Sequence, residues 1–426
     1  MKGSLRDARN VVEYVDSILV PIVGVALLIL DRRRAICIIS ENEPVPPDQR
    51  VWQEALALRD AGYRVLVICP KGPRWNAGRE SIEGIEIYRH AAWKGDGRAG
   101  YVLEYAFSLL AEFYLALRVY ARAKFQILQG CNPPDTIFLV GLLFKLFGVK
   151  FVFDHHDLSP ELYDVKFIRR GFIYRLTCLA ERLTFLSADL VLSTNESYKE
   201  IAVKRGRVDP NRVVIVQTCA DLAEVAKAEY VPGFKRGKRY LVSYVGVMET
   251  QDGVQLLIES IQYLVRVRKR EDTHFVIIGT GNEAERLQQL TAELGLRDFV
   301  EFTGWVLHEA IGSYLKTSDV CVAPDPLNPL NDRSTMIKIL EYMAYSRPVV
   351  LYDLAEGRRT VGDAGLYAQP NDPIDFAIQI EKLLESERLR EQLGESGHRR
   401  TEDGLNWRVQ SAKLTDAFDQ LLDRRP

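Results

Sequence analysis

Short apolar segments alternate with longer amphipathic segments along almost the whole chain. Continuous apolar runs are typical of strands buried on both faces of a parallel sheet, and the amphipathic segments are typical of helices packed on it. In the first half the pattern predicts a helix at 49–61. It predicts strands at 35–40, 64–70, 125–129, 150–155, 190–194 and 212–217. The alternation indicates a parallel α/β fold.

The pattern then stops and starts again. Residues 221–238 are charged and irregular and contain Pro232 and Gly233, which predicts a linker. Further strands are predicted at 241–245, 274–278, 300–302, 320–323 and 349–352, with helices between them and a final amphipathic helix at 407–422. Two runs of βα units predict two Rossmann-like domains. The predicted parts are an apolar segment 1–34, a first domain 35–220, a linker 221–240, a second domain 241–405 and a C-terminal helix 406–426.

Composition adds few constraints. With 426 residues the chain is long for a single core, and 47% hydrophobic with 27% charged residues is ordinary for a globular protein. A formal net charge of −2 gives no electrostatic reason to expect nucleic acid as a partner. The six cysteines are scattered, which predicts neither a disulfide framework nor a zinc module and fits a reducing, cytoplasmic setting.

The N-terminus carries an uncharged run at 17–30, followed by three arginines at 32–34. The run is shorter than the roughly 18–20 residues of a comfortable membrane span. Asp16 interrupts the signal-peptide pattern, and no small-residue cleavage site follows. Attachment of residues 1–34 to the inner face of a membrane, a docked helix and a misplaced start site all stay open. A second segment, 101–122, has an apolar face that ends in Arg118, Arg122 and Lys124, although such a helix is more often packed within a domain.

The stretch 331–344 bears the most specific chemistry. Asp332 or Ser334 can cap the first turn of a helix, where free backbone N–H groups gather. At about 100° per residue, Ser334, Lys338, Glu341 and Tyr345 share one stripe. A solvated Lys338–Glu341 ion pair would explain this stripe, but two details count against it. A lysine in the first turn opposes the helix dipole, and a lysine that precedes a glutamate is the less favourable order for an ion pair on a helix. An anion at the helix start would reverse that penalty, so the segment favours a phosphate site.

This segment resembles the donor-site helix of the retaining GT-B-fold glycosyltransferases of family four, the glycogen-synthase-like group. There, two glutamates eight positions apart flank amides that hold the diphosphate, and the second glutamate holds the ribose. Glu341 matches the second, whereas the first falls on Arg333, as in a subgroup with an Asn-Asp-x-Ser-Thr-x-x-Lys pattern. The resemblance implies transfer of a sugar from a nucleotide-diphosphate donor to an acceptor hydroxyl with retention, with no metal or other cofactor.

The resemblance also implies that loops beyond the strands of the second domain bind the donor. Val247 and Asp252 stand where the family has an arginine and a lysine that grip the diphosphate. Lys338 is therefore the residue expected to balance that charge, as a catalytic residue. The predicted donor-binding residues are Gly246, Gln251, Gly281, Trp305, Val306, Ser334, Thr335, Met336 and Glu341. For the Gly279–Gly281 turn, close approach to a ligand and a plain tight turn are equally good explanations.

In the first domain, residues 153–163 hold two histidines and three carboxylates. No further ligands with metal spacing occur elsewhere, so no metal site is predicted. Strand alternation points His155 and His156 to opposite faces. The resemblance implies that one of them touches the transferred sugar, and His156, at the strand exit, is the candidate, against a buried hydrogen-bonded histidine. The predicted acceptor-binding residues are Asp48 (equally a helix N-cap), Arg50, Asn132, Asp157, Glu161, Asn195 and Glu196.

The expected function is glycosyl transfer in cell-surface glycan or glycolipid synthesis. The expected partners are a nucleotide-diphosphate sugar and a glycan or lipid-linked acceptor, with peripheral membrane contact as a further option. Residues 217–220 depart from the Asn-Gly of the family. The alternatives are an inactive nucleotide-sugar-binding subunit or scaffold, and a sugar-nucleotide epimerase or hydrolase on the same fold.

Overall fold

The first part of the chain folds around one mixed sheet. The computed structural model describes residues 34–93, 97–167 and 171–423. The strands of this sheet are β1 Ala35–Ile39, β2 Arg64–Pro70, β3 Arg79–Ile82, β4 Ile85–His90, β5 Ile127–Cys131, β6 Lys150–His155, β7 Leu190–Ser193 and β8 Val213–Ile215. Their order is β3-β4-β2-β1-β5-β6-β7-β8, and only the β3–β4 pair is antiparallel.

The second sheet is parallel throughout and begins after residue 239. Its strands are β9 Tyr240–Val245, β10 Thr273–Ile278, β11 Val300–Gly304, β12 Val320–Ala323, β13 Val349–Tyr352 and β14 Gly365–Ala368. The order is β11-β10-β9-β12-β13-β14. Both sheets are covered by helices, which confirms the predicted α/β fold with two Rossmann-like sheets.

Helices connect and cover the strands. In the first half they are α1 Gln49–Asp60, α2 Gly97–Ala123, α3 Phe138–Lys145, α4 Ser159–Phe167, α5 Phe172–Ser187 and α6 Glu196–Lys204. In the second half they are α7 Leu222–Val225, α8 Val254–Arg266, α9 Ala284–Glu293, α10 His308–Thr317, α11 Ile337–Ala344, α12 Ala355–Val361, α13 Pro373–Glu385, α14 Glu387–Asp403 and α15 Trp407–Asp423. Among the described residues, none of these helices has both the length and the apolar character required to cross a bilayer.

Helix α15 follows the second sheet in sequence but packs with the first. Its Leu414, Phe418 and Leu421 are buried in the same cluster as residues of α1 and β2. Helices α2, α3 and α5 cover the other face of the first sheet. The helix pair α1 and α15 therefore forms one layer, and α2, α3 and α5 form the opposite layer.

Three features differ from the sequence prediction. The hairpin of β3 and β4 and the edge strand β14 were not predicted, because β3 is polar and half-exposed and β14 starts at a glycine. The segment 221–238 is not irregular throughout, since it contains α7 and a 3₁₀ turn at Pro232–Lys235. The apolar run at 17–30 lies outside the described residues, so its proposed membrane attachment stays a prediction.

Candidate functional site

A cavity of about 670 Å³ lies between the carboxyl ends of the two sheets. It brings together eleven of the residues predicted from the sequence. From the first domain these are Asp48, Arg50, His156 and Asp157, and from the second they are Gly246, Gln251, Ser334, Thr335, Met336, Lys338 and Glu341. The predicted donor helix and the predicted sugar-contacting histidine thus line the same space.

Lys338 is the second residue of α11 and is held by a buried carboxylate. Its Nζ lies 2.9 Å from Asp325 Oδ1 and 3.5 Å from the Tyr244 hydroxyl, and it sits 4.7 Å from the centre of the Tyr244 ring. The side chains of Lys338 and Asp325 are only 10% and 4% exposed. This burial rules out the solvated surface pair that the stripe of polar residues allowed.

The predicted capping of this helix was wrong. Met336 is the N-cap residue of α11, and its side chain makes no capping hydrogen bond. The Asp332 carboxylate instead accepts the backbone N–H of Ala355, and the Ser334 hydroxyl donates to the Leu330 carbonyl. Residues 331–333 form a separate 3₁₀ turn, so the α-helix begins later than the polar residues suggested.

Two carboxylates, those of Asp325 and Asp252, act on the charge of Lys338. Burial raises the pKa of Asp252 to about 6, Lys338 opposes that shift, and the charge of Asp325 adds to it. Burial acts to lower the pKa of Lys338, but Asp325 and Asp252 outweigh it and leave that pKa raised. The second oxygen of Asp325 accepts no hydrogen bond within the described residues. Lys338 is thus fully charged and has more negative charge around it than it can neutralise.

Asp252 has a structural task in the loop after β9. Its carboxylate accepts the backbone N–H of Glu249 at 3.0 Å, which closes the short turn at Thr250–Asp252. The next residue, Gly253, has φ of +69°, and a Cβ there would collide with the Pro324 carbonyl. The residue that replaces the family's lysine therefore shapes the loop that borders the cavity.

We expect binding of a nucleotide-diphosphate sugar to weaken as pH rises through about 6, the pKa of Asp252. Above that pH the ionised carboxylate repels the diphosphate, and the two phosphates of a sugar conjugate do not themselves titrate there. Asp252→Asn should remove this dependence and bind about fivefold more tightly at neutral pH, the effect of one screened charge. Calorimetric titration across this range measures it, with Asp298→Asn as an exposed control. If the affinity of Asp252→Asn depended on pH in the same way as that of the wild-type protein, Asp252 would not be the group responsible.

On the first-domain side, Asn132 shapes the turn that presents His156. The Asn132 Oδ1 accepts the backbone N–H groups of His156 and Asp157 at 2.9 and 3.1 Å. The His156 Nδ1 lies 3.2 Å from Asp154 Oδ2. Burial acts to lower the pKa of His156, but the Asp154 carboxylate outweighs it and raises that pKa to about 9. His156 is therefore an imidazolium at neutral pH.

The neighbouring His155 has the opposite environment. Its ring is fully buried and contacts Phe153, Phe185 and Tyr198. Burial lowers the pKa of His155 to about 3, so the ring is neutral. The alternation of the strand therefore separates one core histidine from one cavity histidine, as the sequence pattern predicted.

Cys131, Asp154 and His156 place ligand atoms within 4.8 Å of one another, a spacing that could hold a metal ion. The Asp154 carboxylate, however, already has a cationic partner in the Arg50 guanidinium, whose Nη2 lies 2.6 Å from Oδ1. Burial raises the pKa of the Cys131 thiol well above its usual range, which disfavours the thiolate that metals bind. The donor set suits a hydrogen-bonded network better than a metal centre.

Arg50 borders the cavity but directs its donors into the protein. Its guanidinium donates to Asp154, to the Val216 carbonyl and to Thr218 Oγ1, and it lies 3.0 Å from Glu54. Burial raises the pKa of Glu54 to about 7, and Arg50 opposes that shift. The structure thus gives Arg50 a role in holding buried carboxylates, beside its predicted role in acceptor binding.

Replacing Arg50 with methionine should lower the free energy of unfolding by about 3 kcal/mol, because Asp154 and Glu54 would remain buried without their cation. Denaturant unfolding at neutral pH measures the loss. Arg297→Met, at an exposed position of the second domain, is the control. Equal stability of the two variants would show that Arg50 does not hold the network.

The remaining predicted acceptor residues lie outside the cavity, and two of them, Glu161 and Asn195, connect the two domains. Glu161 forms ion pairs with Arg205 of its own domain and with Arg333 of the second domain, at 2.6 and 3.1 Å. Asn195 caps α6 and donates to the Arg333 carbonyl and to Thr335 Oγ1. Glu196 is exposed and lines a separate cavity of about 450 Å³.

Three predicted donor residues also lie outside the cavity. A Cβ on Gly281 would collide with the backbone of Met248, so this glycine allows two loops of the second domain to pack together. Trp305 is 61% exposed, and Arg74 of the first domain lies 5.0 Å from its ring centre. Val306 is half-buried and packs against the apolar cluster that contains Leu340.

Sequence reasoning missed Asp325 and Tyr244, two buried residues that contact Lys338. Asp325 stands just beyond β12, where the rule that ligands bind at the carboxyl ends of parallel strands could have selected it. Tyr244 is a fully buried residue of the apolar strand β9, where no local signal distinguishes a tyrosine that contacts Lys338 from any other core residue.

Both halves of the chain match known protein families. Residues 47–219 match the model described as "Glycosyl transferase 4-like domain", and residues 239–386 match "Glycosyl transferases group 1". Each half of the chain is thus similar to a glycosyltransferase domain. The two matches correspond to the two sheets, so the cavity lies between the two matched domains.

Comparison with individual glycosyltransferases gives partial sequence matches and near-complete fold matches. The chain is 34% identical over 162 residues to the lipopolysaccharide core biosynthesis glycosyltransferase LpsD of Rhizobium meliloti, a match covering 37% of this chain and 43% of LpsD. It spans about half the length of the curated relatives that it matches.

Two solved structures share the fold. Sucrose-phosphate synthase from Thermosynechococcus elongatus has a TM-score of 0.75 at 19% identity, with 92% of this chain and 99% of that chain covered. Anabaena Alr3699/HepE in complex with UDP and glucose has a TM-score of 0.69 at 13% identity, with 91% and 100% covered.

Proposed function

We propose that this protein transfers a sugar from a nucleotide-diphosphate sugar to an acceptor hydroxyl, with retention at the anomeric carbon. One observation carries the proposal: Lys338, at the first turn of α11, and His156, at the exit of β6, line the same cavity from opposite domains. Both side chains are cationic. They suit a substrate whose leaving group is a diphosphate.

Each residue has a distinct task in this proposal. The first turn of α11 and Lys338 bind the diphosphate and stabilise the charge that develops as the glycosidic bond breaks. Glu341, one turn further along the helix, accepts hydrogen bonds from the ribose hydroxyls. His156 donates to the transferred sugar from the first domain. Gly246, Gln251, Ser334, Thr335 and Met336 line the same cavity beside these groups.

The acceptor is proposed to be a glycan or lipid-linked sugar of the cell surface. The similarity to LpsD, a lipopolysaccharide core glycosyltransferase, supports this class. Asp48 and Asp157 line the first-domain side of the cavity, where the acceptor would enter. Asp48 also caps α1 by accepting the Val51 N–H, which confirms the N-cap interpretation, and its contact with the acceptor stays a proposal.

Thermal stability in the presence of uridine, guanosine and adenosine diphosphates and their sugar conjugates tests the donor site, followed by turnover assays on the conjugates that bind. A ligand at about 100 times its Kd should stabilise the fold by roughly 2.7 kcal/mol. Glu341→Ala should lose most of the shift, whereas Glu391→Ala, at an exposed position on α14, should keep it. The anomeric configuration of the product, read by NMR, tests retention. Absence of a shift with every nucleotide would overturn the proposal.

A second candidate is a nucleotide-sugar-binding subunit without transferase activity. The pairing of Lys338 with Asp325 and the carboxylate of Asp252 favour it, because the family's cationic pair is absent from the loop after β9. Binding of a nucleotide sugar without transfer or donor hydrolysis would support this candidate. Conversion of the donor without an acceptor, to an epimer or to free sugar, would indicate the epimerase or hydrolase alternative.

A further inference from the structure

The layer formed by α2, α3 and α5 exposes an unusual amount of apolar surface. Fourteen of the exposed large apolar side chains within the described residues lie on these helices or on the turn that follows α3. Leu110 on α2, Leu146 after α3 and Phe172 on α5 are 72%, 82% and 76% exposed. Such a concentration on one face is typical of an interaction surface rather than of scattered surface residues.

The three helices form one continuous surface. Tyr120 of α2 contacts the ring of Phe147, which follows α3, at 5.5 Å. Lys145 of α3 donates to the carbonyl of Ser187, at the end of α5, at 2.8 Å. On α5 the exposed leucines recur at helical spacing, at 176, 179, 183 and 186. We call this surface the three-helix face.

The charges on the three-helix face have one sign. Of the charged side chains that the structure describes on these helices, the exposed ones are Arg118, Arg122, Arg175 and Arg182. The carboxylates Glu112 and Glu181 are each 1% exposed and point into the protein. Among the described side chains, the exposed charges that border this apolar surface are all cationic, which complements a bilayer with anionic headgroups. The same surface disfavours a second copy of this chain, which would bring the same cations to the same interface.

The topology starts the connections to the three-helix face at the edge of the sheet where the cavity lies. Helices α2 and α3 follow β4 and β5, and α4, which leads into α5, follows β6. Each of these connections leaves from the carboxyl end of its strand, and the cavity lies at that edge of the sheet. A membrane against this face would therefore contact the layer of the first domain whose connections begin at the cavity edge.

We infer that the three-helix face is a peripheral docking surface for an anionic lipid bilayer. The inference goes beyond the proposed function, since it uses no residue of the cavity. The proposed contact is also separate from attachment through residues 1–34. Most of its apolar side chains lie on α3, on the turn that follows α3 and on α5. A bilayer is the surface on which a lipid-linked acceptor would be presented.

Site-specific fluorescence in the full chain tests the contact directly. Cys178 is the half-buried cysteine and the other five are buried, so Cys178→Ser provides a background in which one new cysteine can be labelled. A polarity-sensitive dye is attached to a cysteine at position 142 on α3 (Leu142→Cys). The matched control carries the dye at position 374 on α13 (Ile374→Cys), where the natural side chain is also apolar and exposed. Vesicles of mixed phosphatidylglycerol and phosphatidylcholine, with and without nitroxide lipid, are then added.

We expect a blue shift and nitroxide quenching at position 142 and neither at position 374. No response at position 142 would overturn the inference. An equal response at both positions would also overturn it, because the membrane contact would then not be specific to the three-helix face. A concentration-dependent shift at position 142 without vesicles would also overturn it, in favour of self-association.

A charge variant provides an independent measurement. Arg118→Glu/Arg182→Glu should lower partition into the anionic vesicles about tenfold or more, whereas Arg297→Glu/Arg399→Glu on the second domain should not. Turnover of a nucleotide sugar with a soluble acceptor should be the same in both variants. Equal partition of the two variants into the vesicles would contradict the docking surface. If the wild-type chain showed no turnover at all, that result would count against the proposed function and not against the docking surface.

Discussion

Replacing Lys338 with alanine should lower kcat/KM for the nucleotide sugar roughly 10³-fold. Lys338 lies in the first turn of α11, and the loop after β9 has Val247 and Asp252 at the positions where the family resemblance implies basic residues. Without Lys338, the charge on the departing diphosphate would develop beside Asp325 and Asp252. Steady-state kinetics with donor and acceptor varied separately measures the loss.

The same substitution also affects stability, which the experiment must separate from catalysis. Asp325 would be left buried with an unpaired charge, at a cost of about 3 kcal/mol or more. The double variant Lys338→Met/Asp325→Asn removes both charges and should recover most of the stability while staying inactive. Lys316→Ala, at an exposed position on α10, should be active and stable. Activity of the double variant close to wild type would show that Lys338 has a structural role only.

Replacing His156 with glutamine should lower kcat roughly 10²-fold and change the donor KM little, provided that its contact with the sugar strengthens in the transition state. The pKa of His156 is raised to about 9 because Asp154 stabilises the imidazolium. The charged form is present below that pH and is lost above it. The kcat of the wild-type protein should therefore fall as pH rises through about 9.

The pH profile distinguishes this role from a structural one. His156→Gln should show no decrease near pH 9, because glutamine does not titrate. His398→Gln, on α14 and away from the cavity, is the matched control and should keep the wild-type profile. If His156→Gln shows the same decrease as the wild-type chain, another group titrates there and His156 is not the donor to the sugar.

The Lys338–Asp325 pair affects the proposed donor site. Lys338 has a carboxylate partner in the structure, so under the proposal a diphosphate would share or replace that partner. This arrangement holds Lys338 in one position in the absence of donor. Because Asp325 already neutralises the charge of Lys338, the carboxylate of Asp252 adds net negative charge to the site. Neutralising Asp252 is therefore expected to raise the affinity for the donor.

The acceptor side shows where local reasoning stops. Asn132 was predicted to touch the acceptor, but it holds the turn that presents His156. Glu161 and Asn195 follow strands of the first domain in the sequence, and they contact Arg333 and Thr335 of the second domain. A polar residue beyond a strand is near the cavity edge in any parallel sheet. Whether it faces the cavity or the other domain depends on how the domains meet.

The sequence by itself determined the fold class, the two sheets and the two segments that approach the cavity. Strand and helix periodicity depend on neighbours a few residues apart, so the pattern was sufficient to separate His155 from His156 and to select the helix that bears Lys338 and Glu341. Only the tertiary structure decided the partner of Lys338, the role of Arg50, and the extent of the three-helix face. Asp325 meets Lys338, and α5 meets α3, through packing between segments distant in sequence, which no local periodicity encodes.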